Sequence, residues 1–236
     1  MQTPIGVFPA PIKQDRQPDR TVRLDIESYM TYIPIDKIRW KESRFMDRLN
    51  REFSTLTIVL IPVAIALNIA IGTLVLNLKV PLYLDSIGTV LVGALVGPWA
   101  GALTGFLASF VWTLTGLFPQ AIAWAGVAAI IGALAGAFRS GDWWQKWWKS
   151  IIAGLITGVI AAILSAPIAA YVFGGVTGSG TDALVALFRA AGIDMLGANM
   201  AQGVVSDPID KAVTFFIIWA ILQALPSRLK RRFSGG

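Results

Sequence analysis

The chain has 236 residues, of which 55% are hydrophobic and 14% charged, where an ordinary soluble domain is about a quarter charged. Its formal net charge is +6, and it contains neither His nor Cys. Those absences exclude Ser-His-Asp and Cys-His acyl transfer, a zinc site of the usual spacing and an axial His for haem. With no P-loop either, the chain has no standard machinery for ATP hydrolysis.

Residues 1–34 mix Pro, Gln, Asp, Arg and Thr and read as an extended or weakly ordered tail. From Ile35 to Phe53 the character changes. Ile38, Trp40, Phe45, Met46, Leu49 and Phe53 are interleaved with Lys37, Arg39, Lys41, Arg44, Arg48 and Arg51. Two readings fit: an amphipathic helix on an anionic membrane surface, or a charged lead-in to the first membrane span.

The apolar runs that follow approach or exceed the roughly 20 residues needed to cross a hydrocarbon core of about 30 Å. They do not alternate polar and apolar residues, which argues against a β-barrel. The first predicted span is Thr55–Leu76, followed by a loop from Asn77 to Asp85. The second and third, Ser86–Val96 and Ala100–Leu117, lie either side of Gly97-Pro98-Trp99. A turn at Phe118-Pro119-Gln120 leads to the fourth span, Ala121–Phe138. A polar, Trp-rich segment, Arg139–Ser150, precedes the fifth span, Ile151–Phe173. A Gly-rich connection from Gly174 to Asp207, with a short helix over Thr181–Ala191, leads to the sixth span, Pro208–Leu225. The expected fold class is all-α: a six-helix membrane domain over residues 55–230, a polar N-terminal extension over 1–54, and a tail over 231–236.

Basic residues cluster before the first span, between the fourth and fifth, and after the sixth. The other side holds Lys79, Arg189 and the helix-embedded Lys211. By the positive-inside rule both termini are cytoplasmic. The positive charge thus serves orientation, with membrane lipid as its partner and no nucleic acid. Trp143, Trp144, Trp147 and Trp148 then read as an interfacial belt on the cytoplasmic face.

Gly93, Gly97, Gly101 and Gly105 recur every four residues, and Gly132/Gly136 and Gly154/Gly158 repeat the spacing. Small residues four apart make a flat face where another backbone approaches closely, which implies packing rather than function. Ala66 and Ala70 flank Asn68 in the same way, as an internal packing face or a docking face for another membrane protein.

Polar side chains in or beside the spans are costly, so they are the site candidates. These are Asp85 at the outer start of the second span, Asn199 and Gln202 before the last span, and Asp207, Asp210 and Lys211 at its outer start. Asp207 and Asp210 also suit capping of a helix N-terminus. Lys211 calls for an acidic partner, either Asp207 at i,i+4 or Asp85. Trp112 and Trp124 flank the outer turn as belt anchors or as stacking walls for a planar ligand.

The layout, the Ala66-Leu67-Asn68-Ile69-Ala70 pair, the stretch LYLDSIGTVLVGALVGPWAGALTGF from Leu82 to Phe106 and DPIDKAVTFF from Asp207 to Phe216 resemble the substrate-binding S component of energy-coupling-factor vitamin transporters. The resemblance covers residues 55–230. It implies a subunit of a prokaryotic cell membrane that is no enzyme and carries no cofactor. Such a subunit binds a vitamin or related small molecule at the outer half of the bundle and works with a transmembrane coupling subunit and ATPase subunits. Carried over by position, Asp85, Trp112, Trp124, Asn199, Gln202, Asp207 and Lys211 line the pocket, and Ala66 and Ala70 dock the coupling subunit. The long N-terminal extension departs from the pattern. The missing N-terminal His disfavours the metal-transporting branch.

The ligand class stays open between two chemistries. Outer acidic residues with tryptophans suit a cationic aromatic compound, while Lys211 and Arg189 suit a carboxylate or phosphate. A heteroaromatic vitamin or precursor is favoured. The alternative function is a membrane scaffold or sensor subunit without transport activity, which uses the basic N-terminal segment to contact cytoplasmic partners.

Overall fold

The computed structural model describes residues 46, 47 and 49–233, and every regular element among them is helical. The tail reading for residues 1–34, and most of the amphipathic segment from Ile35, lie outside the described residues. A helical stretch through Leu49–Glu52 leads into α1 (Thr55–Leu78). Then come α2 (Ile87–Leu95), α3 (Pro98–Leu114), a 3-10 segment (Pro119–Trp124), α4 (Ala125–Ala137), α5 (Trp147–Phe173), α6 (Asp182–Ala190), α7 (Met195–Ala224) and α8 (Ser227–Phe233). Among the described residues, three stretches can cross a membrane by length and apolarity: Thr55–Leu78, Pro119–Ala137 and Trp147–Phe173. α7 is longer than any of them, but Asp207, Asp210 and Lys211 interrupt its apolar run.

The helix ends follow from local chemistry. Ser54 caps α1, its hydroxyl accepting from the Thr57 N–H at 3.4 Å. The break between α2 and α3 falls at Gly97, with Pro98 at the first position of α3, where its missing N–H costs nothing. The first amides of α3 are capped from a distance: Glu52 Oε2 accepts from the Trp99 and Ala100 N–H groups, both at 2.9 Å. A carboxylate at this end also meets the positive pole of the helix dipole. Gly97, at φ 152°, leaves the room for it, since a Cβ there would lie 2.4 Å from Glu52 Oε1. Glu52→Ala is expected to cost about 1 kcal/mol, the typical worth of a cap. Hydrogen exchange should localise the loss to the Trp99 and Ala100 amides; unchanged protection there would refute the cap.

The most extensive pairings are α5 with α7 and α3 with α4. Both run through the small-residue ladders. A Cβ on Gly132 of α4 would sit 2.1 Å from Gly101 O of α3, and one on Gly158 of α5 would sit 2.4 Å from the Pro208 Cα of α7. The expected break of the first ladder at Pro98 is present, and Gly93 and Gly101, from two helices, meet the same Gly132 carbonyl. Phe215 and Ile218 of α7 and Val90 and Val92 of α2 are fully buried in the core, and Trp144 stacks on Phe215 at 5.1 Å.

Two sequence expectations are corrected here. The last long helix starts at Met195 rather than Pro208, with Asp194 as its cap, and runs through Pro208 without ending. Asp207 and Asp210 are therefore mid-helix residues and cap no N-terminus. The four tryptophans also do not act as one belt. Trp147 and Trp148 are exposed, but Trp144 is buried and donates its indole N–H to Ala135 O at 3.3 Å. Nearby, Asp142 pairs with Lys149 and with Lys146, and the Lys149 ammonium beside it holds its carboxyl below the usual carboxylate range.

Candidate functional site

The polar residues of α7 recur on one buried face. Gln202, Ser206, Asp207, Asp210 and Lys211 are all buried, because that face looks into the bundle while Val204, Val205 and Ile209 look out. Burying charge is tolerated where partners are supplied, and here they come from the loop between α1 and α2.

Asp210 Oδ1 accepts from the backbone N–H groups of Tyr83 and Leu84 at 2.9 and 2.8 Å. Leu84 is thereby held at φ 47°, in the left-handed region that non-glycine residues rarely occupy. The other oxygen of Asp210 accepts from Lys211 Nζ at 2.6 Å. The same ammonium donates to Ser86 Oγ at 2.9 Å and to Asp85 Oδ1 at 3.4 Å. An ammonium has three donors, and these three acceptors match them. Of the two partners the sequence offers for Lys211, Asp85 is engaged, and no ion pair with Asp207 at i,i+4 forms. Asp207 Oδ1 is buried with no hydrogen-bond partner in the protein.

Above this charged cluster lies a cavity of about 130 Å³. All seven sequence-predicted residues, from Asp85 to Lys211, reach its wall. Asn199 donates to Met195 O at 2.8 Å, and Gln202 donates to the Tyr83 hydroxyl at 3.2 Å and to Ser206 Oγ. Trp112 is buried against Phe118, with ring centroids 5.3 Å apart. Trp124 lies between Phe118 at 6.4 Å and Phe173 at 5.0 Å, near-parallel to both. Trp112 is therefore a wall residue rather than an outward anchor, and its indole N–H has no partner in the protein.

Sequence reasoning missed the other side of the mouth. Thr177, Ser179 and Thr181 form a chain of hydroxyls, at 2.8 and 2.6 Å, before α6. Asp182 accepts the Thr177 and Gly178 N–H groups at 3.1 and 2.7 Å, which shapes this turn. The turn meets the α1–α2 loop so closely that a Cβ on Gly180 would lie 2.3 Å from Val80 O. The run Thr177-Gly-Ser-Gly-Thr-Asp182 carries a composition signal for a turn but no periodicity to place it. Tyr83 belongs to the loop before Asp85, which the resemblance places in the pocket wall, but it was not singled out. It hydrogen-bonds Thr181 at 3.2 Å and so joins the two loops.

Asn68 is a structural residue. Its side chain donates to Thr89 Oγ1 at 2.7 Å and accepts from the Gly88 N–H at 2.6 Å, which caps the buried start of α2 from α1. Ala66 and Ala70, on either side of it, face outward and are exposed. Arg189 is exposed, donates to Ile193 O at 2.8 Å, and does not line the cavity.

The fold and site thus define an all-helical protein with helices suited to a membrane and a mainly apolar, aromatic-walled chamber that carries a few polar groups. The chain matches no family model, no curated protein and no solved structure.

Proposed function

We propose that the chain is the membrane-embedded, substrate-binding subunit of an energy-coupling-factor type transporter for a vitamin or other micronutrient. The observation that carries this reading is convergence. Residues from α1 to α7, far apart in sequence, bring polar and aromatic groups to one ring-sized cavity. An apolar cavity of about 150 Å³ holds a benzene ring, so a small heteroaromatic compound is the favoured substrate. The resemblance supplies the rest: a transmembrane coupling subunit, and separate ATPase subunits that power uptake.

In this reading the domain has six spans. α2 and α3 serve as the second and third, and α7 crosses as the sixth because its charged residues face the bundle interior rather than lipid. Both termini are cytoplasmic in a prokaryotic cell membrane. The exposed Ala66 and Ala70 face of α1 docks the coupling subunit, since small residues let another helix approach closely.

Co-purification with the encoded coupling subunit tests the proposal. Ala66→Trp is expected to reduce recovery of the complex at least tenfold while the isolated chain keeps its Tm, because the side chain adds bulk to an outward face. Wild-type recovery with Ala66→Trp would remove the docking role.

A further inference from the structure

The cavity's charges do not balance. Asp85, Asp182 and Asp207 line it with one ammonium, that of Lys211. Lys211 is fully engaged by Asp210, Ser86 and Asp85 and has no donor left for an anion. Asp182 is satisfied by its own turn. Asp207 is different: it is 4% exposed, lies at the cavity wall, and its Oδ1 has no partner in the protein. A buried carboxylate oxygen without a donor is costly. Among the described cavity-lining residues, one other buried side-chain atom lacks a partner, Trp112 Nε1, which is a donor. The site therefore offers one unpartnered carboxyl, which a bound cation would hold ionised, and one neutral donor, beside aromatic walls that favour a cation over an anion.

We propose that this cavity selects a small heteroaromatic cation, whose charged N–H is received by Asp207 and whose ring acceptor is met by Trp112 Nε1. The assignment rests on the cavity being the ligand site of the proposed function and adds the charge class. A free carboxylate or phosphate is disfavoured, since the one cation at the wall is committed within the protein.

The full chain, purified in detergent, is examined by native mass spectrometry, and any retained molecule is extracted and identified. In parallel, its Tm is followed with 3-(aminomethyl)pyridine, nicotinamide and nicotinate, which present a cationic, a neutral and an anionic substituent on one ring, the first carrying both a charged N–H and a ring acceptor. The expected results are a cationic retained molecule and the largest Tm rise with the cationic probe. Asp207→Asn should weaken the effective cation about ten- to hundredfold, the worth of a charge-assisted hydrogen bond. Because Asp207 Oδ1 has no internal partner, the same variant without ligand should melt at or above the wild-type Tm, which separates lost binding from lost folding. Tighter binding in Asp207→Asn, or unchanged binding, would overturn the assignment. A neutral or anionic retained molecule would overturn it too while leaving the ligand-binding reading intact. No retained molecule and no response to any probe would overturn both.

Discussion

Lys211→Met is expected to destabilise the protein by about 3–5 kcal/mol, the cost of leaving a buried charge without its partner. The substitution keeps the length of the side chain and removes the ammonium that Asp210, Asp85 and Ser86 share. Asp210 has no exposure and would keep its charge in an apolar setting with two backbone donors alone. A loss of that size corresponds to a fall in Tm of roughly 6–20 °C for a chain of this length. The double variant Asp210→Asn with Lys211→Met should recover most of the loss. Asn still offers an oxygen to the Tyr83 and Leu84 amides, and the pair is then neutral on both sides. Thermal unfolding of the three proteins in one detergent checks this. A single variant within 1 kcal/mol of wild type, or a double variant no better than the single, would refute the buried pair as the pin of the α1–α2 loop.

Gly132→Ala is expected to be the most damaging single methyl addition in α4, at about 3 kcal/mol or more, the upper part of the range for overpacking. Its Cβ would lie 2.1 Å from Gly101 O and 2.3 Å from Gly101 C, and both are backbone atoms of α3 that no rotamer change can move away. The two helices must separate along the whole ladder. Gly126 in the same helix is the control, since a Cβ there meets nothing within 4 Å. Gly126→Ala should be neutral or stabilising by up to about 1 kcal/mol through helix propensity. The readout is the Tm and the yield of monodisperse protein. Equal behaviour of the two alanine variants would show that α3 and α4 do not meet at this point.

Much of the architecture was legible from local pattern. The four-residue glycine spacing predicted close helix contacts, and Pro98 predicted that one ladder would serve two helices. The start of α7 was not legible. Pro208, with Asn199, Gln202, Ser206 and Asp207 around it, looks like a connection because each disfavours an apolar span. In the fold these residues occupy the one face of a continuous helix that looks into the bundle. The seven site residues were named from polarity and position, but their roles were not. Lys211 was flagged as needing an acid, and its nearest acid by helical spacing, Asp207, proved to be the unpaired one.

By itself the sequence determined that the chain is helical, that parts of it suit a membrane, and that imidazole and thiolate chemistry are excluded. Hydropathy, helix propensity and the absence of a residue type are properties summed along the chain, so no partner needs to be known. Tertiary structure alone decided which carboxylate is paired with Lys211 and which keeps an oxygen without a partner. That choice depends on a loop brought to the last long helix from 126 residues away, where Asp85 meets Lys211. Electrostatic pairing acts over a few ångströms in space, and distance along the chain carries no record of it.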